Sequence, residues 1–483
     1  MKRLLACFGC LALMLWVSSS TQADAVTDAV ERNQEVVVLY RAGDWNRALV
    51  AAKQALLANE TALGSDHHEV ATSLYQLGTL YQRRGQYDKA EGFHQRALVI
   101  REQRLPANDL RIADSVMALG AMNRNRGWYG TAEPFLERGL RIREAALGPD
   151  HLKVAHGLNE LARMYRAQDR FSEAADLAQR AISILERTLG SEHPTVAEGL
   201  NELALIFHNQ GRLDKAEPYY LRALEIRKSA LDPKDILIAR SLSNLATLNH
   251  NAGDFARAES YYRQSLQTKQ SVLGPTHPDV AITLRNMGLM FKDKGDPAQA
   301  EAFLQNAVVM LEAKVGVNAP TVAGTLANLA DLYIYQGRHD EAETVLQRAV
   351  GIWESALDPH HPALARTLSS LALVYVHQRR FAAAEPLQSR SVAILERALG
   401  PDNPDLATAY GNLALILAAQ EKIERAEGHY RSALAIRERV LGLDHPQVAD
   451  ILDALASLLG ENGRENEAEL LATRAKVIRD GDK

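Results

Sequence analysis

The sequence predicts an all-α solenoid of stacked antiparallel helix pairs, on three observations. A 42-residue unit recurs in phase and without a gap from about Val26 to about Ile478. Each unit holds two apolar runs spaced three and four residues apart, the period of one helical face. Glycine and proline fall at fixed places between the runs, where helices stop and start. A chain of 483 residues would otherwise suggest several domains. A repeat of this kind grows in one dimension and needs no single central core.

The unit from Leu189 to Ala230 serves as the type. Its corner recurs at Leu63, Leu105, Leu147, Leu189, Leu231, Leu273, Val315, Leu357, Leu399 and Leu441. An N-terminal unit lacks the corner but keeps the phase, since Gly43 and Ala48 stand one period before Gly85 and Ala90. That makes eleven helix pairs.

In the first run, Val196, Ala197, Leu200, Leu203, Ala204 and Phe207 share one helical face. Pro194 suits the first helical position, where a missing N–H costs nothing. Gly211 ends the helix, as Gly85, Gly127, Gly253, Gly295, Gly337 and Gly463 do in their units, by taking the positive φ of a C-cap. Asp169, Arg379 and Glu421 occupy the same slot at some cost. The second run begins near Asp214, and Pro134, Pro218 and Pro386 are expected in its first turn.

Two columns stay small throughout. One is alanine in every unit, from Ala48 through Ala216 to Ala468. The other is only Gly or Ala: Gly78, Gly120, Ala162, Ala204, Ala246, Gly288, Ala330, Ala372, Ala414 and Ala456. Such columns mark close helix crossings, because an added methylene would force the helices apart.

Composition narrows the function. The chain is 47% hydrophobic and 24% charged, a globular balance, and its net charge of −5 gives no basic excess for a nucleic-acid partner. The first 23 residues have the layout of a secretory signal peptide: Lys2 and Arg3, an uncharged run from Leu4 to Val17, then a small-residue exit before Asp24. A retained membrane anchor is the alternative. Cleavage would leave residues 24–483 with no membrane span, no cysteine and a charge two units more negative, since Cys7 and Cys10 both lie in the removed segment. The expected compartment is periplasmic or extracellular.

The Leu-Gly/Ala-x-x-Tyr run, the turn glycine and the Ala-Glu pair resemble tetratricopeptide repeats. Units of that family are commonly about 34 residues long. The 42-residue form with LGxxHPxVA between units is similar to the kinesin-light-chain type. The resemblance covers residues 26–478 and implies a right-handed superhelical solenoid whose first helices line a concave wall. The heptad-rich arm of kinesin light chains is missing, so the repeat is expected to be shared and the motor-linked role not.

No motif for catalysis emerges. His193, His277, His361 and His445 precede prolines in one column, but each belongs to a different unit, and Asp109, Asp235, Ala319 and Asn403 fill the same slot elsewhere. They read as helix-entry residues rather than metal ligands. Phosphate loops, nucleophile elbows and zinc-ligand helices are missing from the sequence. Recurring glutamates such as Glu217, Glu259 and Glu301 read as a solvated face. No enzymatic activity, cofactor or metal is expected.

The first-helix column that drifts is the candidate site. It runs Gln82, Arg124, Arg166, His208, His250, Lys292, Ile334, Val376, Ala418 and Gly460, a cationic or imidazole zone followed by an apolar one. Arg163, Arg240 and Arg285 join the first zone, and Leu373 and Leu415 the second. Asn159, Asn201, Asn244, Asn286 and Asn328 supply amides for an extended backbone. Kinesin-light-chain-type repeats use such positions for acidic peptides carrying an aromatic residue, so the resemblance implies an acidic peptide or protein partner. The alternative is an envelope accessory that binds a polysaccharide in transit, with Tyr75 and Tyr335 as its aromatics, or that assembles a secretion or envelope complex. The apolar zone serves equally as a contact between copies of the chain.

Overall fold

In the computed structural model, the described residues are 23–41, 44–83, 86–356, 359–399 and 403–481, and their regular structure is entirely helical. Residues 1–22 of the signal-peptide segment, Gly43, Gly85 and the Leu357 corner lie outside them. Helix α1 covers residues 23–41. It is followed by α2 (Trp45–Leu63), α3 (His68–Arg83), α4 (Tyr87–Arg104), α5 (Leu110–Arg126), α6 (Tyr129–Leu147) and α7 (Leu152–Ala167). Next come α8 (Phe171–Leu189), α9 (Pro194–Asn209), α10 (Leu213–Ala230), α11 (Ile236–Asn251), α12 (Phe255–Leu273), α13 (Pro278–Asp293) and α14 (Pro297–Val315). The rest are α15 (Pro320–Tyr335), α16 (His339–Ala356), α17 (Pro362–His377), α18 (Phe381–Leu399), α19 (Pro404–Ala418), α20 (Ile423–Leu441), α21 (Pro446–Glu461) and α22 (Glu465–Gly481).

The chain divides into two compact units, Met1–Asn125 with Thr131–Glu160, and Arg126–Gly130 with Leu161–Lys483. The sequence period runs through this division unbroken. Within the second unit each helix packs on its hairpin partner and then on the next hairpin, and first helices α11, α13, α15, α17 and α19 touch in succession.

The small columns sit where predicted. Ala90 and Ala132 in the first unit, and Ala174 to Ala426 of the same column in the second, are fully buried. A Cβ on Gly120 would stand 2.6 Å from Leu136, and one on Gly288 2.8 Å from Leu304. These two hairpins therefore close to the distance that a hydrogen at one helix and a leucine at the other allow; a methyl there would cost about 1–3 kcal/mol.

Turn chemistry also follows the columns. Gly211, Gly253, Gly295 and Gly337 have φ between 73° and 79° or at 87°, and Asp169, Arg379 and Glu421 in the same slot hold φ of 61°, 59° and 60°. The corner differs at two places. With Gly after the leucine, as at Gly190 (φ 90°), the helix runs through Leu189; with Pro106 or Asp232 there, it stops one residue earlier at Arg104 or Ala230. Only glycine takes the positive φ that extends the cap.

Two expectations are corrected. Pro134, Pro218 and Pro386 lie inside α6, α10 and α18, at the sixth helical position instead of the first turn. The carbonyls they leave without a donor belong to Gly130, Asp214 and Ala382, all exposed residues where water replaces the missing N–H. The recurring glutamates are not simply solvated. Glu301, Glu343, Glu385 and Glu427 pair with Arg338, Arg380, Lys422 and Arg464 of the following repeat, at 2.8, 2.8, 2.5 and 2.6 Å. Hydrogen bonds from those cations hold Glu301, Glu385 and Glu427 below the usual carboxylate range. Arg338 and Arg380 also lie over the rings of Tyr333 and Tyr375.

The histidine column is helix entry. Nδ1 of His193, His277, His361 and His445 accepts the backbone N–H two residues on, from Thr195, Asp279, Ala363 and Gln447, at 3.1–3.2 Å. Asp235 and Asn403 do the same with their side-chain oxygens. Among the described residues no group of three or more His, Cys, Asp or Glu could hold a metal ion, and no helix is long and apolar enough to cross a membrane.

Candidate functional site

The first helices carry the drifting column because their remaining faces are committed to packing. On α9, Val196, Ala197, Leu200, Leu203, Ala204 and Ile206 are buried, which leaves Glu198, Leu205 and His208 on the less covered side. The same phase on α11 presents Arg240, Asn244 and Thr247, and on α13 Ile282, Arg285 and Asn286.

In the second unit these helices border a groove of about 710 Å³, lined among others by Arg163, Asn201, Arg240, Asn244 and Asn286. Asn244 Nδ2 donates to Asn201 Oδ1 at 3.3 Å, and Asn201 Nδ2 to the Ala197 carbonyl at 2.8 Å. The Arg285 guanidinium donates to Asn286 Oδ1, and burial lowers its pKa. The structure thus brings together five of the predicted residues and links the amides of neighbouring repeats.

The strip is less positive than its sequence suggests. Arg163 and Arg166 both pair with Glu202, at 3.2 and 2.8 Å, and Glu202 is only 5% exposed. Arg240 pairs with Asp279 at 3.2 Å, His250 with Asp293 at 2.8 Å, and Lys292 lies 3.5 Å from Asp293. His208 Nε2 lies 2.6 Å from Asn251 Nδ2, and burial, then His250, lowers its pKa. In the first unit, Arg124 pairs with Glu160 at 3.1 Å, and Asn159 Oδ1 is buried with no hydrogen-bond partner. Asn328 is half-buried on α15.

The apolar zone splits. Ile334 and Val376 are half-buried and pack against the core with Leu329, Leu371 and Tyr375. Leu373, Leu415 and Tyr335 remain exposed, Tyr335 at 67%. Tyr75 is half-buried beneath the Arg101 guanidinium, 5.0 Å from its ring centre, so only Tyr335 is an open aromatic of the two.

Sequence reasoning missed a second-helix column of which two members, Arg227 and Lys269, line the groove. It reads Asn59, Arg101, Arg143, Leu185, Arg227, Lys269, Leu311, Trp353, Leu395, Arg437 and Arg479. Fourteen residues later, on the next first helix, stand Ser73, Ser115, Ser241, Thr283 and Thr367 opposite Asn59, Arg101, Arg227, Lys269 and Trp353, each hydrogen-bonded to its partner. Gly199 faces Leu185, where a Cβ would stand 3.5 Å from the leucine. Those five polar residues meet a hydroxyl and Leu185 meets bare backbone, but Arg143 stands opposite Gly157, Leu311 opposite Thr325 and Arg437 opposite Ile451, so the two columns vary together only in part and gave no clear signal in the sequence.

Stacked helical hairpins bordering an open groove define a repeat scaffold. The chain belongs to the tetratricopeptide repeat family, whose model matches residues 32–103, 111–187, 177–229, 195–271, 237–313, 321–397, 367–439 and 405–476. Among solved structures, the chain is similar to the nearly identical TPR-like repeats assigned to a Podosopora anserina kinesin light chain, at 22% identity over 43% of this chain and 98% of that one, with a TM-score of 0.40. It is similar to BtubC (BKLC) from P. vanneervenii at 24% identity over 47% of this chain and 89% of that one, TM-score 0.37. A Rap protein complexed with competence and sporulation factor matches at 14% identity over 86% of this chain and 99% of that one, TM-score 0.46. No curated protein matches the chain. A scaffold of this family binds protein or peptide partners.

Proposed function

We propose that the chain is an exported, non-enzymatic scaffold that holds an extended acidic peptide or protein segment in the groove bordered by α9, α11 and α13. The supporting observation is the convergence there of Asn201, Asn244 and Asn286 with Arg163 and Arg240 from successive first helices. Amides at repeat spacing suit a peptide backbone, which offers a donor and an acceptor at each residue. Charges around them steer an acidic segment and set its register more than they add affinity, because most of these cations already have carboxylate partners. Export rests on the layout of Met1 to Ala23.

Screening the purified protein against an array of extended peptides tests the reading. Acidic peptides should be enriched, bind more weakly as salt rises, and be lost when Asn201, Asn244 and Asn286 are together changed to alanine. Absence of any enriched peptide class would overturn it. Protein recovered outside the cytoplasm should begin near Asp24; an intact Met1 terminus there would overturn cleavage.

A further inference from the structure

The second unit meets itself at two places where the repeat departs from its own pattern. A stack of helix pairs ordinarily puts each repeat in contact with its neighbours alone. Here Asp169, in the α7–α8 turn, accepts a bond from Asn403 Nδ2 at 3.2 Å across 234 positions, more than five periods of 42. One repeat earlier the α5–α6 turn makes the equivalent approach. A Cβ on Gly127 would stand 2.5 Å from Pro362 Cδ, at the entry of α17. Arg126–Gly130, Asp169, Pro362 and Asn403 all belong to the second unit.

Burial and ring contacts make this a docked joint. Pro362 and Asn403 are buried, Asn403 at 2%, whereas Pro320, Pro446 and His193 of the same columns are exposed. Tyr129 packs against the core cluster that contains Leu364, Leu399 and Leu406. The Trp128 ring centre lies 4.4 Å from the Arg126 guanidinium and 5.9 Å from that of Arg397, in the last turn of α18. Arg397 Nη1 in turn donates to His360 Nε2 at 2.9 Å. Every other unit has a charged residue or glutamine at the Trp128 position, such as Arg170, Arg212 and Asp254. Asp169 likewise stands where most units have glycine. The joint ends one repeat further on, where a Cβ on Gly211 would meet nothing within 4 Å.

We propose that this self-contact is a releasable clasp that fixes the curvature of the arc carrying the groove, independently of what the groove binds. The groove residues Asn201, Asn244 and Asn286 lie in sequence between Asp169 and Asn403. Each interface between repeats yields slightly, and along an open arc these small rotations add up. Joining the ends of the arc removes that freedom, so α9, α11 and α13 hold one spacing. The joint is also weak enough to release. It consists of one side-chain hydrogen bond, a glycine against a proline, and aromatic rings docked beside a guanidinium, each modest by itself. Closed, the clasp holds the groove at its present width; released, it lets the arc spread.

Hydrogen–deuterium exchange and small-angle X-ray scattering of the full chain test the clasp. Asp169→Gly restores the usual turn residue and deletes the bond to Asn403, and Trp128→Arg copies Arg170 and Arg212. Together they should speed exchange at residues 363–367 and 405–409, across the joint from both changes, by about tenfold, and enlarge the radius of gyration. Asp169→Gly alone keeps the turn and should speed exchange at residues 405–409 with the fold intact. Gly127→Asn should act like the double variant, because its Cβ would strike Pro362. Gly211→Asn is the control: its φ is 79° against 81° at Gly127, but it faces open space, so it should change neither reading. Unchanged exchange across the joint in the clasp variants would overturn the proposal. Faster exchange at an unchanged radius would overturn it too, since the contact would then be local packing that leaves the curvature alone.

Discussion

The carboxylate of Asp169 accepts a hydrogen bond from Asn403 Nδ2 at 3.2 Å, although 234 residues of sequence separate them. Both belong to the second unit. Asp169 holds the turn slot with φ of 61°, where most repeats have glycine, and Asn403 uses its other side-chain atom, Oδ1, to cap α19. Burial, then the charge of Asp405, raises the Asp169 pKa, while the Asn403 bond opposes the shift. A carboxyl raised in the folded state stabilises at low pH and loses that contribution as pH rises through its folded value. Asp169→Asn keeps an acceptor and tolerates positive φ, so it should stabilise the protein at pH 7. Thermal melts at pH 7 and pH 4 check this: the gain should shrink at the lower pH.

Ala319 stands in the helix-entry column with the same extended backbone as its equivalents, φ −75° and ψ 141°, but has no side chain to cap α15. Ala319→Asp should supply the bond that Asp235 gives α11 and stabilise by about 0.5–2 kcal/mol. Denaturant unfolding of the two proteins side by side reads the difference directly.

His94 is fully buried against Gly78, and neither ring nitrogen has a hydrogen-bond partner. Desolvation, then Arg101, lowers its pKa to about 4. A depressed base contributes stability above its unfolded value near 6.5 and loses it as pH falls toward 4. The equivalent pairs Gly120–Leu136 and Gly288–Leu304 show that leucine fits opposite a glycine here. His94→Leu should therefore stabilise the first unit and remove about 3 kcal/mol of its acid sensitivity between those pH values. Unfolding curves from pH 7 to pH 4 test it.

Burial lowers the Lys269 pKa to about 8. Because the folded value lies below the unfolded 10.5, stability should rise as pH climbs from about 8 to 10.5, where the unfolded chain binds the extra proton. Lys269→Leu should flatten this dependence, measured by chemical denaturation over pH 6–10.

Much of the local structure was legible because each device needs only its own few residues. A helix stops where glycine can take positive φ, and begins where His193 or Asp235 meets an orphan N–H; both are set within two or three residues. The proline positions were misjudged because a helix start is ambiguous by several residues when, as at Arg212 before α10, no capping side chain precedes it. Of the candidate site, the amide row from Asn201 to Asn286 was legible from the first-helix column, and Arg227 and Lys269 were not. Those two sit on the second helix and reach the groove only because the next hairpin packs fourteen residues downstream.

The sequence by itself determined the repeat, its length, the helix boundaries to within a few residues, and which columns must stay small. These are consequences of short-range geometry repeated in register. Tertiary structure alone decided the charge of the groove. Glu202 neutralises Arg163 and Arg166 from 36 to 39 positions away, Asp279 neutralises Arg240, and Arg227 and Lys269 are left without a carboxylate. Electrostatic partners are chosen by distance in space, and a column read along the sequence shows the sign of each charge but not what lies within 4 Å of it.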